Sequence, residues 1–260
     1  MTLTMDRYYA ELEAEGGRFV EAFDGADLGA TVLTCPEWTL AQLAEHVGQA
    51  HRWAAHAVTT RATGMPAFED VPDVRLPEGA AERVDWLRAG PRRLVAAVRE
   101  AGPDAPVWNW SQDHRAGFWV RRMLHETVVH RADAALTTGR PFAVDPEVAV
   151  DGLDEWLGFL SLPAMLERKP GLRAETTRTL SFVATDVGDD LAGRWSVRRG
   201  PDGVTVQRGG SDPRGADVTV QGPAADLWLV AVRRLPVADA AVEVSGDVSV
   251  LDDWLANSAF

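Results

Sequence analysis

The chain has 260 residues, 46% of them hydrophobic and 25% charged, which is typical of a soluble globular protein long enough for two domains. Its net charge of -13 argues against a nucleic-acid partner, and its single cysteine excludes an intramolecular disulfide or a cysteine-rich zinc site. The sequence shows no secretory leader and no apolar run of membrane-spanning length, so it predicts a cytoplasmic protein with no membrane partner.

The first two predicted helices lie before residue 61. The first covers residues 4–23, where aromatic and leucine side chains recur at helical spacing. The second runs from Leu40 to about Thr60, because Thr39 and Gln42 have the spacing of a capping box immediately before an apolar periodic run.

Two more helices complete the N-terminal half. The third covers about residues 80–101, and Pro91 is expected to kink it or split it. The fourth extends from Gly117 to Gly139, where a glycine stop is followed by a proline. Four long helices with connections of mixed length predict a four-helix bundle, a fold that builds metal sites from side chains on facing helices.

The fourth helix carries a His-Glu-x-x-x-His segment, one residue longer than the zinc protease motif. His125 and His130 differ by about 140° around the helix axis and cannot share a metal. Glu126 and His130 are four residues apart, about 40° around the axis, so they can share one. Such a pair is more often a solvated helix face, and a metal site therefore requires a third ligand from elsewhere in the chain.

His46 on the second helix is the best third ligand. It lies on the same arc as apolar positions that face inward, so it is expected to point into the bundle. The alternative is a core histidine hydrogen-bonded to a backbone carbonyl. His51 lies about 140° away from His46 and, with His56 and His114, is assigned to surface or loop positions.

Two further residues of the fourth helix have functional spacing. Asp133, three residues after His130, is placed to orient that ligand directly or through water. Arg122, one turn before Glu126, is placed to pair with that carboxylate or with an anionic substrate. A plain helix-surface ion pair is an equally good interpretation of each.

The second half of the chain has a different pattern, and the Pro/Gly-bearing segment 137–146 separates it from the first. The sequence therefore predicts two domains, 1–140 and 141–260. A helix is expected over 146–162, then short strands joined by Gly/Pro/Asp turns, a helix over 223–234, one more strand and a last helix. Short connections predict a mainly antiparallel sheet, so the whole chain is of the α+β class.

Two segments carry a resemblance to a known family. The pattern Pro36-Glu-Trp-Thr-Leu-Ala-Gln-Leu-Ala-Glu-His46, followed by Arg122-x-x-x-Glu126-x-x-x-His130-x-x-Asp133, resembles the mycothiol-dependent maleylpyruvate isomerase family. The resemblance extends over nearly the whole chain. It implies a DinB-like metal-binding bundle, with His46, Glu126 and His130 as ligands of one Zn²⁺, followed by a C-terminal domain similar to sterol-carrier-like folds.

The same resemblance implies the chemistry. Three protein ligands leave an open position on zinc, and a metal there lowers the pKa of a bound thiol. Mycothiol is the implied cosubstrate, and its thiolate adds to an electrophilic small molecule. Release after bond rotation gives cis–trans isomerisation, whereas retention of the adduct gives thiol S-transfer.

Arg233 and Arg234 are the predicted thiol-binding residues, because the family often has an arginine at the corresponding helix end. Arg233 is expected to hold a polar part of the thiol or substrate across the domain boundary through its planar donor fork. The alternative is an ordinary helix C-terminus, where the macrodipole favours arginine.

Two other function classes stay open. A zinc hydrolase would place hydroxide at the open position, but it needs a general base near the metal, and His125 points away from the Glu126/His130 face. A non-catalytic binding module would keep the bundle without the chemistry, yet the complete ligand set argues against it. The chain is expected to be a monomer or a homodimer, and the sequence does not name the electrophile.

Overall fold

The computed structural model describes residues 3–111, 113–188, 193–209 and 215–258. They fall into two compact units, Leu3–Phe142 and the described residues between 143 and 258. The first unit is helical and the second combines helices with a sheet, which confirms the predicted α+β class. None of the helices in these described ranges is long and apolar enough to cross a membrane.

The N-terminal unit contains four long helices and a small hairpin. The helices are α1 (Met5–Glu21), α2 (Leu40–Thr59), α3 (Ala80–Ala101) and α4 (Gly117–Thr138), and the hairpin strands are β1 (Thr31–Val32) and β2 (Cys35–Thr39). Helix α1 packs against α3 and α4, and α2 also packs against α3 and α4, as in a four-helix bundle. The sequence pattern did not reveal the hairpin.

Local signals set the helix ends as predicted. The Thr39 side chain accepts a hydrogen bond from the Gln42 N–H at 3.3 Å, and the Gln42 side chain accepts one from the Thr39 N–H at 2.9 Å. Both bonds of the capping box are therefore present at the start of α2. Helix α4 ends at Gly139, whose φ of 67° is left-handed and easily adopted only by glycine. These two ends fix the register of the helices that carry the candidate ligands.

Pro91 does not split α3, which is continuous over Ala80–Ala101. Pro91 is buried and packs on Gly16 of α1, where a Cβ would lie 2.5 Å from the Pro91 Cγ. A proline inside a helix removes one backbone hydrogen bond and costs about 3 kcal/mol. Close packing against the neighbouring helix outweighs that local preference here.

The C-terminal unit begins with α5 (Pro146–Leu160) and the short α6 (Pro163–Arg168). It continues with β3 (Arg178–Ala184), β4 (Arg194–Gly200), β5 (Gly203–Arg208), β6 (Val218–Gly222), α7 (Ala224–Ala231), β7 (Glu243–Gly246) and α8 (Val248–Ser258). The sheet order is β5-β4-β3-β6-β7, with β3 and β6 parallel and the other pairs antiparallel. The sheet is therefore mainly antiparallel, as predicted.

Candidate metal centre

Side chains from α2 and α4 converge on one carboxylate oxygen. Oε1 of Glu126 lies 3.0 Å from Nε2 of His46 and 3.2 Å from Nε2 of His130. Each of the three residues offers one donor atom, and all three donor atoms lie within 4.8 Å of one another. His130 is buried, whereas 39% of the His46 side chain is exposed, so the cluster opens to solvent on the α2 side.

These separations suit a tetrahedral metal. Zinc ligands at roughly 2.0–2.1 Å and tetrahedral angles place neighbouring donor atoms about 3.3 Å apart. The separations of the Glu126 oxygen from the two imidazole nitrogens, 3.0 and 3.2 Å, are close to that value. Two imidazoles and one carboxylate are also a donor set that zinc accepts at catalytic sites. The three residues therefore offer a donor set that fits a zinc ion.

Asp133 supports His130 from the opposite side of the ring. Oδ2 of Asp133 lies 2.8 Å from Nδ1 of His130, and the Thr34 hydroxyl donates to Oδ1 of Asp133 at 2.5 Å. Asp133 is fully buried, so this carboxylate is held in one place. A hydrogen bond at Nδ1 fixes the tautomer that leaves Nε2 free to bind metal. The sequence left open whether Asp133 contacts His130 directly or through water, and the structure shows a direct hydrogen bond.

Arg122 contacts the other oxygen of the Glu126 carboxylate. Its guanidinium donates to Oε2 at 2.5 Å, one helical turn away. Burial alone would raise the pKa of Glu126, but Arg122 and the hydrogen bonds from His130 and His46 hold that pKa well below its usual range. Glu126 therefore stays ionised at neutral pH, as a metal ligand must.

The pKa of His130 moves in the opposite direction. Burial alone would lower it, but the hydrogen bonds to Asp133 and Glu126 outweigh burial and raise the pKa to about 9. Without a metal, the imidazole is therefore protonated at neutral pH. Metal binding at Nε2 requires loss of that proton, which makes metal affinity dependent on pH.

Trp38 of β2 borders the cluster. Its ring centroid lies 4.7 Å from that of His46 and 5.9 Å from that of His130. The hairpin thus contributes Trp38, which contacts His46 and His130, and Thr34, which contacts Asp133. Sequence reasoning gave neither a role, since only the pairing of β1 with β2 brings this segment beside α4.

The other histidines of the helices lie outside the cluster. His51 is buried, which corrects its assignment to the surface, and its Nε2 lies 2.8 Å from Oγ1 of Thr127. Burial, with the nearby Arg52 charge, lowers the pKa of His51 to about 3. His125 is also buried on α4 and is not one of the three clustered residues.

Arg233 and Arg234 lie in the C-terminal unit, just beyond the end of α7. The sequence placed both in the last helical turn, but α7 ends at Ala231. Arg233 is exposed and has a φ of 60°, in the left-handed region. Arg234 is buried and its guanidinium donates to the carbonyl of Val232 at 3.0 Å. Arg233 is therefore the arginine of this pair with its side chain open to solvent.

Comparisons with known proteins cover both units. Residues 9–135 match the sequence profile of the mycothiol maleylpyruvate isomerase N-terminal domain, and residues 147–253 match the MDMPI C-terminal domain. No curated protein matches the chain.

Two solved structures share the fold. The crystal structure of the mycothiol-dependent maleylpyruvate isomerase has 19% sequence identity and a TM-score of 0.55, covering 94% of this chain and 96% of that chain. A histidine-to-alanine mutant of that isomerase has 18% identity and a TM-score of 0.56, with the same coverage of both chains.

Proposed function

Because the chain belongs to the mycothiol maleylpyruvate isomerase family, we propose that it is a zinc-dependent enzyme that activates mycothiol for addition to an electrophilic small molecule. The outcome is either cis–trans isomerisation or thiol S-transfer. We propose His46, Glu126 and His130 as the ligands of one Zn²⁺ per chain. We also propose a cytoplasmic location, which the single cysteine supports.

The observation that carries this proposal is the convergence of two imidazole nitrogens on one ionised carboxylate between α2 and α4. When bound there, zinc would lower the pKa of a coordinated thiol and hold it as thiolate at neutral pH. His46 is the most exposed of the three residues, so a cosubstrate is expected to approach from its side.

The residues around the ligands have positioning roles in this proposal. Asp133 holds His130 with Nε2 towards the metal, and Arg122 holds Glu126 by its second oxygen. Both contacts fix side chains that would otherwise rotate, so the ligand set is organised before metal binds. Because Arg122 already pairs with Glu126, the structure favours this role over binding an anionic substrate.

The reaction then requires little further acid–base chemistry from the protein. The thiolate forms a bond to the electrophilic carbon of a conjugated double bond, and the π electrons move to the carbonyl oxygen. Rotation about the resulting single bond and expulsion of the thiolate return the alkene in its other geometry. If the adduct instead takes up a proton at carbon, the product is the thioether.

Arg233 is proposed to bind the thiol. Its guanidinium is exposed, whereas that of Arg234 is buried against a backbone carbonyl. A planar fork of donors suits hydroxyl, amide and carboxylate groups, which a bulky polar thiol carries in abundance. Of the two arginines predicted from sequence, Arg233 is therefore the better choice for a cosubstrate contact.

A thiol-consumption assay tests the function directly. Protein purified without chelator is incubated with mycothiol and a panel of electrophiles, with and without added Zn²⁺. Metal-dependent thiol loss or alkene isomerisation supports the proposal. Turnover of substrate in the absence of any thiol would contradict it and indicate hydrolysis by metal-bound hydroxide instead.

A further inference from the structure

Helices α2 and α4 pack along a seam, and this seam contains both the candidate metal centre and a second group of side chains. At one point His46 meets Glu126, and at another the rings of Trp53 and Trp119 lie 5.2 Å apart. On each helix the two points are seven residues apart, close to two full turns, so they lie on the same face about 10 Å apart.

The second group is an aromatic cluster of Trp53, Trp108, Trp110, Phe118 and Trp119. Neighbouring ring centroids are 4.8 to 6.4 Å apart. Trp119 is fully buried beneath the others, whereas 47% of Trp110 is exposed. The cluster therefore has a buried base and presents ring surface to solvent.

Two rings of the cluster, those of Trp53 and Trp119, are held by hydrogen bonds to backbone carbonyls. The indole N–H of Trp53 donates to the carbonyl of Pro66 at 3.1 Å, and that of Trp119 donates to the carbonyl of Trp108 at 3.1 Å. The backbone N–H of Trp108 donates to the carbonyl of Ala62 at 2.7 Å. These bonds tie Trp53 and Trp119 to the segments that contain Pro66 and Trp108, and with their indole N–H groups already bonded these two rings offer mainly apolar contacts to a ligand.

Ring orientation indicates what the surface accepts. Trp110 stands at 88° to Trp119 and Trp53 at 77° to it, and Trp53 and Trp110 are themselves close to parallel, 21° apart. Such a set offers ring faces and ring edges to a further planar group, in the edge-to-face and offset-stacked geometries that aromatic pairs prefer. The five members carry no charge, so a small dicarboxylate gains little here.

We propose that the aromatic cluster is the subsite for an aryl group of the electrophile, and that the substrate class is an aryl-substituted α,β-unsaturated carbonyl compound. This inference rests on the proposed function, which supplies the thiolate at the metal. The thiol itself is polar and is poorly matched to five aromatic rings. The position of the cluster on the same seam lets the electrophilic carbon lie towards the metal while the aryl ring contacts Trp53 and Trp110.

Equilibrium binding separates this inference from catalysis. The probes are 4-phenylbutan-2-one and pentan-2-one, which share a methyl ketone, lack the reactive double bond and differ in the phenyl group. Binding to the metal-loaded full chain without thiol is measured by ligand-observed NMR titration. We expect the phenyl ketone to bind at least tenfold more tightly than pentan-2-one, and Trp110→Ala to weaken its binding about tenfold, which corresponds to one aromatic contact and the associated burial.

A second tryptophan variant and a control variant complete the test. Trp53→Leu removes the other near-parallel ring, keeps an apolar side chain and should weaken binding of the phenyl ketone similarly. Leu136→Ala, near the far end of α4 and 36% exposed, should leave it unchanged. Equal affinity for the two ketones, no binding of the phenyl ketone, or unchanged binding in both tryptophan variants would overturn the assignment.

A kinetic comparison links the subsite to turnover. With mycothiol as the thiol, 4-phenylbut-3-en-2-one and pent-3-en-2-one present the same enone with and without the ring. The ratio of their kcat/KM values should exceed ten in the wild-type protein and fall in Trp110→Ala, but not in Leu136→Ala. If neither enone is isomerised or conjugated to the thiol, the proposed function fails for this substrate class, and the ketone-binding comparison still decides whether the aryl subsite exists.

Discussion

Replacing Asp133 tests how firmly the structure holds His130 for metal binding. Asp133 is fully buried, and it accepts hydrogen bonds from the Thr34 hydroxyl and from Nδ1 of His130, with the Cys35 thiol 3.9 Å from its Oδ2. In Asp133→Asn, one side-chain oxygen remains to accept from His130 while the amide group turns to Thr34, but the negative charge is lost. In Asp133→Ala both bonds are lost and the imidazole is free to rotate.

The expected losses follow from these contacts. Removing a partner that orients a metal-bound histidine usually lowers metal affinity about 10- to 100-fold, or roughly 1.4–2.7 kcal/mol. Because asparagine preserves one bond to His130, the loss of zinc affinity is expected near the lower limit for Asp133→Asn and near the upper limit for Asp133→Ala. Thr34→Val is the matched control, because it removes a bond to the same carboxylate but leaves the His130 contact. It should lower zinc affinity less than either Asp133 variant.

Competition with a chromophoric zinc chelator at fixed pH measures the affinity of each variant. Urea unfolding of the metal-free proteins is needed in parallel, because the two Asp133 variants must be shown to fold. If folded Asp133→Asn and Asp133→Ala bind zinc as tightly as the wild type, the carboxylate does not position His130 for a metal, and this reasoning is refuted.

Three further predictions concern the metal, the thiol and a buried histidine. Protein purified without chelator should contain about one zinc per chain, and His46→Ala and His130→Ala should contain far less; equal metal content in all three would exclude these ligands. The rate of thiol consumption should rise with pH and level off well below the roughly 8.5 of a free cysteine thiol, whereas a rate still rising through pH 9 would show that the thiol is not activated. His51 has its pKa lowered to about 3 by burial and the nearby Arg52 charge, so only the unfolded chain gains its proton as pH falls below about 6.5. His51 should therefore lower the free energy of unfolding by up to about 1.4 kcal/mol per pH unit from about 6.5 towards 3, and His51→Gln should give a correspondingly shallower slope in urea titrations; identical slopes would contradict it.

Helix geometry made the convergence on Glu126 predictable from sequence. The capping box at Thr39 and the glycine stop at Gly139 fix where α2 and α4 begin and end, and spacing then gives the direction of each side chain. Glu126 and His130 fall on one face by this reasoning. His46 lies among the inward-facing positions of α2, and the structure brings the donor atoms of all three side chains together.

Contacts between distant segments were not predictable in the same way. Thr34 reaches Asp133 across 99 positions of sequence, through a hairpin too short to show strand periodicity. His51 was assigned to the surface because it lies away from His46, yet that second face of α2 is covered by α3. A Cβ at Gly90 of α3 would lie 2.9 Å from the Cβ of His51, so the absence of a side chain there allows the close approach.

The end of α7 also departs from the sequence prediction, because Arg233 occupies a position that normally suits glycine. The N–H of Arg233 bonds to the carbonyl of Val230 and the N–H of Arg234 to that of Leu229, which is the Schellman pattern with Arg233 as its left-handed residue. The sequence has no glycine here to mark the stop, so periodicity alone extended the helix by about one turn.

A residue other than glycine in the left-handed region lowers the free energy of unfolding by about 1 kcal/mol. Two substitutions at Arg233 can therefore separate its effect on stability from its effect on thiol binding. Arg233→Gly should relieve the strain and raise the free energy of unfolding by about that amount, whereas Arg233→Ala should leave the strain in place. Both variants lose the exposed guanidinium, so both should raise the KM for mycothiol while metal content stays unchanged. Stability is measured by urea unfolding and KM by thiol consumption. If KM is unchanged in both variants, Arg233 does not bind the thiol, whatever happens to stability.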